Sequence, residues 1–80
     1  MNEFILGYSF ELNNFTIKLY YLNNQNYINE NDFNIKIDQL KNITNPKDLM
    51  ENLSLLDGIV KIEIFSSENK LLLSSSLIVE

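Results

Sequence analysis

From Phe4 to Leu12 apolar residues occupy every second position (Phe4, Leu6, Tyr8, Phe10 and Leu12), and from Phe15 they resume on Phe15, Ile17, Leu19 and Tyr21. A period of two marks a strand with one face in a core. Asn13-Asn14 separates the two runs, and asparagine tolerates the left-handed backbone that a two-residue type I′ turn requires at both centres. The spacing predicts a hairpin in which Leu12 opposes Phe15, Phe10 opposes Ile17, Tyr8 opposes Leu19 and Leu6 opposes Tyr21. Every pair is apolar on both strands, and a one-residue slip destroys that agreement. On the reverse face Glu11 then opposes Thr16, Ser9 opposes Lys18, Gly7 opposes Tyr20 and Ile5 opposes Leu22. The Tyr20 ring is placed to cover the bare backbone of Gly7.

The stretch "NNQNYINEND", residues 23–32, is polar and rich in breakers and reads as a long loop. "FNIKI", residues 33–37, alternates and is read as a short strand. The rival is a helix through Phe33, Ile37 and Leu40, which leaves Ile35 off the apolar side. A helix is better marked over residues 46–57. Asn45 is its N-cap, Pro46 takes the first position, and Leu49, Met50, Leu53 and Leu56 form the apolar stripe up to Gly58. "GIVKIEIF" and "LLLSSSLIVE" then flank "SSENK" as a second hairpin, turning near residues 67–69. In it Val60, Ile62 and Ile64 face inward with Leu71 or Leu73, Leu77 and Val79. Hairpin, short strand, helix and hairpin make an α+β chain: a mainly antiparallel sheet of about five strands with one helix on it.

A two-layer domain of this kind needs only one apolar sheet face. The reverse face nevertheless carries Ile5, Tyr20, Leu22, Ile59, Phe65, Leu72 and Ile78. Clustered, they form an interface-sized patch; closure of the strands into a barrel, or folding of the two hairpins face to face, would bury them instead. The C-terminal run is long, apolar and charged only at Glu80, so as an open edge it invites pairing with another strand.

Composition narrows the partners. With 80 residues the chain is one domain, 1–80, with a modest core. It lacks Cys and His, carries eleven acidic residues against six basic ones, and has a formal net charge of −5. The basic residues are all Lys and scattered singly, which fits neither a nucleic-acid backbone nor an anionic membrane. An acidic surface is steered instead toward a basic protein. No secretory leader is evident and no run approaches the ~20 apolar residues of a membrane span, so a cytoplasmic setting is expected.

Chemistry is sparse. Without His there is no ordinary general base. Asp48 with Glu51 and Glu30 with Asp32 read as solvated carboxylates rather than a catalytic pair. The serines at 66, 67 and 74–76 have only Lys61 or Lys70 as conceivable activators. "NENDFN" lacks the spacing and glycine of a calcium loop, and Gly7 and Gly58 are too isolated to cradle phosphate. No catalytic residue, metal or cofactor is expected, and the chain is not read as an enzyme. The expected function is a protein-binding module of the small acidic inhibitor type, such as an immunity protein, an antitoxin or a phage-encoded blocker. It would act by steric occlusion, with Tyr20 and Leu22 as apolar anchors beside Ile5, Phe65 and Ile78. Glu11, Glu63, Asp48 and Glu51 would steer it. The alternative is a self-assembling structural subunit, a homo-oligomer joined by strand addition at its C-terminal strand.

Overall fold

The structure, a computed structural model, describes residues 3–22 and 28–76. Its elements in order are β1 (Phe4–Leu12), β2 (Phe15–Leu22), α1 (Glu30–Leu40), α2 (Pro46–Leu53), β3 (Lys61–Phe65) and β4 (Leu71–Ser76). The strands form a four-stranded antiparallel sheet in the order β1-β2-β3-β4, open at both edges among the described residues. The chain is α+β as expected, with four strands and two helices in place of about five strands and one helix.

The first hairpin follows the Asn-Asn turn: Asn13 and Asn14 both take positive φ, 51° and 68°. Pairing matches the expected register from Leu12 opposite Phe15 to Tyr8 opposite Leu19. Beyond Tyr8 it changes. A bulge at Gly7 moves the remainder of β1 by one residue, so Leu6 opposes Tyr20, Ile5 opposes Tyr21 and Phe4 opposes Leu22. Because side chains alternate, the extra residue transfers Ile5 to the Tyr21 side of the sheet and puts Phe4 and Leu6 on the Tyr20 side. The ring over Gly7 is therefore that of Tyr21, not Tyr20. A Cβ built on Gly7 would lie 2.2 Å from Tyr21 Cε2, far inside van der Waals contact.

Residues 33–37 are helical, which corrects the short strand expected there. Asn29 caps α1 by accepting a 2.8 Å hydrogen bond from the Asp32 amide, and Glu30 and Asp32 lie in the first turn where the helix dipole favours carboxylates. Phe33 and Leu40 are buried and Ile37 packs against the core, while Ile35 is 53% exposed. That is the spacing of one helix face. Phe33 stacks on Tyr8 at 3.8 Å between ring centroids and meets Phe10 edge-on at 5.2 Å, which docks α1 against β1. The Tyr8 hydroxyl donates to the Ile28 carbonyl, and Asn13 Nδ2 to those of Leu40 and Ile43, tying both ends of α1 to the first hairpin.

In α2 the Asn45 cap and Pro46 are as the sequence predicts, but the helix ends at Leu53 rather than near residue 57. A tighter turn follows, with hydrogen bonds from the Ser54, Leu55 and Leu56 amides back to Met50, Asn52 and Leu53. It buries Leu56 and leaves Leu55 in solvent. Gly58, at φ 85°, redirects the chain so that Ile59 and Val60 enter the core. Ile59 thus does not belong to the second face. In the second hairpin Asn69 takes φ 68° and closes the expected turn. Another irregularity, between Ile64 and Phe65, pairs Phe65 with Leu71 and leaves Leu72 without a cross-strand partner on β3.

One layer of side chains from the sheet meets the helices: Leu12, Ile17, Leu19, Tyr21, Ile62 and Ile64 against Phe33, Leu40, Leu49 and Leu53. Both helices lie on this side. The opposite side carries no helix among the described residues, so the sheet is neither closed into a barrel nor folded hairpin on hairpin.

Candidate functional site

The uncovered face is built from rows of directly opposed residues. Leu6, Tyr20, Lys61 and Ser76 form one row across all four strands, with Phe4 and Leu22 beside its first half. Ser9, Lys18, Glu63 and Ser74 form the next, and Glu11, Thr16, Phe65 and Leu71 the third. Aromatic and aliphatic side chains thus collect at one end, where Phe4 is 42% and Leu6 47% exposed next to half-buried Tyr20 and Leu22. A smaller apolar group, Phe65 with Leu71, lies at the other end, and charged and hydroxyl side chains divide the two.

Lys61 and Glu63 organise the apolar end. The Lys61 ammonium lies 5.3 Å from the Tyr20 ring centroid and 5.5 Å from that of Phe4, and 3.8 Å from Glu63 Oε2. Glu63 Oε1 accepts a hydrogen bond from the Tyr20 hydroxyl. Lys18 sits over Phe65 in the same manner at 5.1 Å. Each cation covers an aromatic face, an attraction of about 0.5–1 kcal/mol where solvent reaches the pair. Tyr20 is held at its hydroxyl by Glu63 and at its ring by Lys61, which reduces the rotamer freedom it would lose on binding a partner.

The Tyr20 phenol is pushed up to about 12, first by burial, then by the hydrogen bond to Glu63 and by that carboxylate's charge. Its ordinary value is near 10. The folded state therefore holds the proton more tightly than the unfolded chain, and the contact's contribution to stability is fully present below pH 10 and lost as pH rises toward 12. Alkaline absorbance titration is expected to show a phenolate step near pH 12 that disappears in Tyr20→Phe, while the step of Tyr8, which burial and then the Glu30 charge also raise, remains. In Glu63→Gln the Tyr20 step moves down from about 12 but stays above 10, since the carboxylate's charge is gone while burial, the first cause, remains. A step unmoved by Glu63→Gln would mean that the carboxylate does not hold the phenol.

The expected anchors and steering groups separate. Tyr20, Leu22 and Phe65 share the uncovered face, as do Glu11 and Glu63. Ile5 pairs with Tyr21 and leaves that face, Phe4 and Leu6 taking its place. Asp48 and Glu51 are exposed on α2, in the helical layer behind the sheet, so they do not adjoin Tyr20. Ile78 lies outside the described residues. Glu63 is engaged by Tyr20 and Lys61 and acts locally. Lys61 was not among the expected site residues; the signal for it was its position two residues before Glu63 on one strand face.

Among the described residues no group of three or more acidic side chains converges in a way that could hold a metal ion, and no helix is long and apolar enough to cross a membrane. Comparison with protein-family models, with curated proteins and with solved structures gives no match. The functional reading rests on the geometry of this face.

Proposed function

We propose that the chain is a non-catalytic protein-binding module that inhibits a larger protein by laying the uncovered sheet face over it. The observation that carries this reading is the clustering of Phe4, Leu6, Tyr20 and Leu22 beside a tyrosine fixed by Lys61 and Glu63. Rigid aromatic anchors ringed by polar groups are the usual centre of a protein interface. The two cations, Lys18 and Lys61, and the two carboxylates, Glu11 and Glu63, on this face offset one another, so steering comes from the net charge of the whole molecule, −5, and favours a basic partner. Immunity proteins, antitoxins and phage-encoded blockers are the inhibitor types this combination fits.

The test is capture from host lysate followed by a titration. Wild type is expected to recover a basic protein and to inhibit it at fixed stoichiometry. A Leu6→Ser, Tyr20→Ala variant, shown folded by circular dichroism, should weaken that inhibition by a hundredfold or more, as loss of a central anchor pair costs roughly 3 kcal/mol. Asp48→Asn with Glu51→Gln should slow association with that protein and leave the dissociation rate of the complex unchanged. Inhibition that survives the sheet-face variant and fails in the helix variant would move the site to the helical layer and end this reading.

A further inference from the structure

The two edges of the sheet differ. β1 is interrupted by the bulge at Gly7 and carries Glu11, both devices that discourage pairing with another strand. β4 carries no charge over Leu71–Ser76, and its irregularity lies at its start, leaving Leu73 to Ser76 in regular pairing with β3. Among the described residues no strand lies beyond it, and one side of its backbone has no strand partner. Beside this edge a groove opens between α2 and β4, lined by Lys47, Met50, Glu51, Leu73, Ser74 and Ser75. An added strand would hydrogen-bond to β4 and set an inward side chain against Met50, the two components of recognition by strand addition.

The charges bordering the groove specify the occupant. Lys47 and Glu51 are one helical turn apart, with Met50 between them, and all three face the edge. A twofold axis perpendicular to the sheet can pair β4 with a second β4 antiparallel. Such an axis keeps both helical layers on the same side and reverses α2 relative to its copy. In the register that sets the two Met50 side chains against each other over the seam, Lys47 of each copy lies toward Glu51 of the other, twice. A self-matching patch of this kind is what an isologous dimer requires. It also answers the repulsion between two chains of charge −5, since the seam brings together an uncharged strand and oppositely charged pairs. We infer that two copies of this chain join edge to edge through β4, with Lys47 and Glu51 cross-paired over the seam, into one continuous sheet.

The inference stands apart from the inhibitor reading, because the seam lies at the edge and the helical layer while the proposed inhibitory face lies behind. The dimer would present two such faces side by side. The experiment is sedimentation equilibrium of the full chain from micromolar to millimolar concentration, on wild type, Lys47→Glu, Glu51→Lys and the double reversal. The single reversals leave the fold intact, since a carboxylate near the start of α2 and an ammonium near its end both suit the helix dipole. Wild type is expected to dimerise. Each single reversal turns two attractive pairs into two repulsive ones and should raise the dimer Kd by about tenfold or more, and the double reversal should return it to within about threefold of wild type. Hydrogen exchange supplies an independent readout: amides of residues 71–76 should gain protection as concentration rises. A chain that stays monomeric throughout, a dimer indifferent to the single reversals, a double reversal that fails to recover, or a dimer whose β4 amides stay unprotected each overturns the inference. The Leu6→Ser, Tyr20→Ala variant should dimerise like wild type, which separates failure at the seam from failure at the inhibitory face.

Discussion

Gly7→Ala should lower stability by about 3 kcal/mol, toward the severe end of single substitutions. The methyl group would be placed 2.2 Å from Cε2 and 2.3 Å from Cδ2 of Tyr21. That ring has no room to retreat, being fully buried and in edge contact with Tyr8 at 6.3 Å. Either the bulge straightens or Tyr21 leaves the core. Straightening carries Phe4 and Leu6 inward and Ile5 outward, so the variant should also lose the uncovered apolar cluster. Urea denaturation measures the first effect. The second is checked by whether the late Tyr20 phenolate step moves down, since Leu6 no longer lies opposite Tyr20 and burial is the first cause of that step's height. Tyr21→Leu provides a coupled test: with the ring gone, adding the Gly7 methyl should cost much less than it does in wild type. A Gly7→Ala chain within about 1 kcal/mol of wild type would mean that Tyr21 does not seal the bulge.

The same glycine shows how far the sequence could be read. Near the turn, alternation determines the register, because the residues at 9, 11, 16 and 18 are polar and a slip would bury them. Farther out, residues 4 to 6 are Phe, Ile and Leu, and residues 20 to 22 are Tyr, Tyr and Leu. Either register then buries an apolar side chain and exposes another, so the pattern carries no information about an inserted residue. Only Gly7 marks it, and a strand glycine is compatible with a bulge or with a covering ring. Tyr20 and Leu22 were legible as a second face because β2 is regular, whereas their neighbours on β1 were not. The charge partners Lys61 and Glu63 come from a strand about forty positions away, whose register against β2 no local pattern specifies. The proposed seam at β4 was legible only as a long uncharged edge; its match to α2 depends on how the helix lies over the sheet.

The other ambiguity, strand or helix at residues 33–37, can be tested by which side chains matter. In a strand Phe33, Ile35 and Ile37 would share a face and all three would be needed. On α1, Phe33 is 7% exposed between Tyr8 and Phe10, while Ile35 is 53% exposed. What decides between them is largely outside the segment: the Asn29 cap, Leu40 two turns on from Phe33, and the Tyr8 and Phe10 rings waiting on β1. Phe33→Ala should therefore cost about 3–5 kcal/mol, since it removes a stacked and an edge-on ring contact and leaves a cavity under α1. Ile35→Ala should fall within roughly 0.5 kcal/mol of wild type, as surface changes do. A small domain has only about 5–10 kcal/mol in reserve, so Phe33→Ala should populate states in which α1 is undocked at ambient temperature. Far-UV circular dichroism would then lose helical signal ahead of the sheet, and exchange at α1 amides would accelerate before that at β2. Equal costs for the two substitutions would point back to a strand. A large cost confined to Phe33 requires the helix, and with it the coverage of one sheet face that leaves the other free.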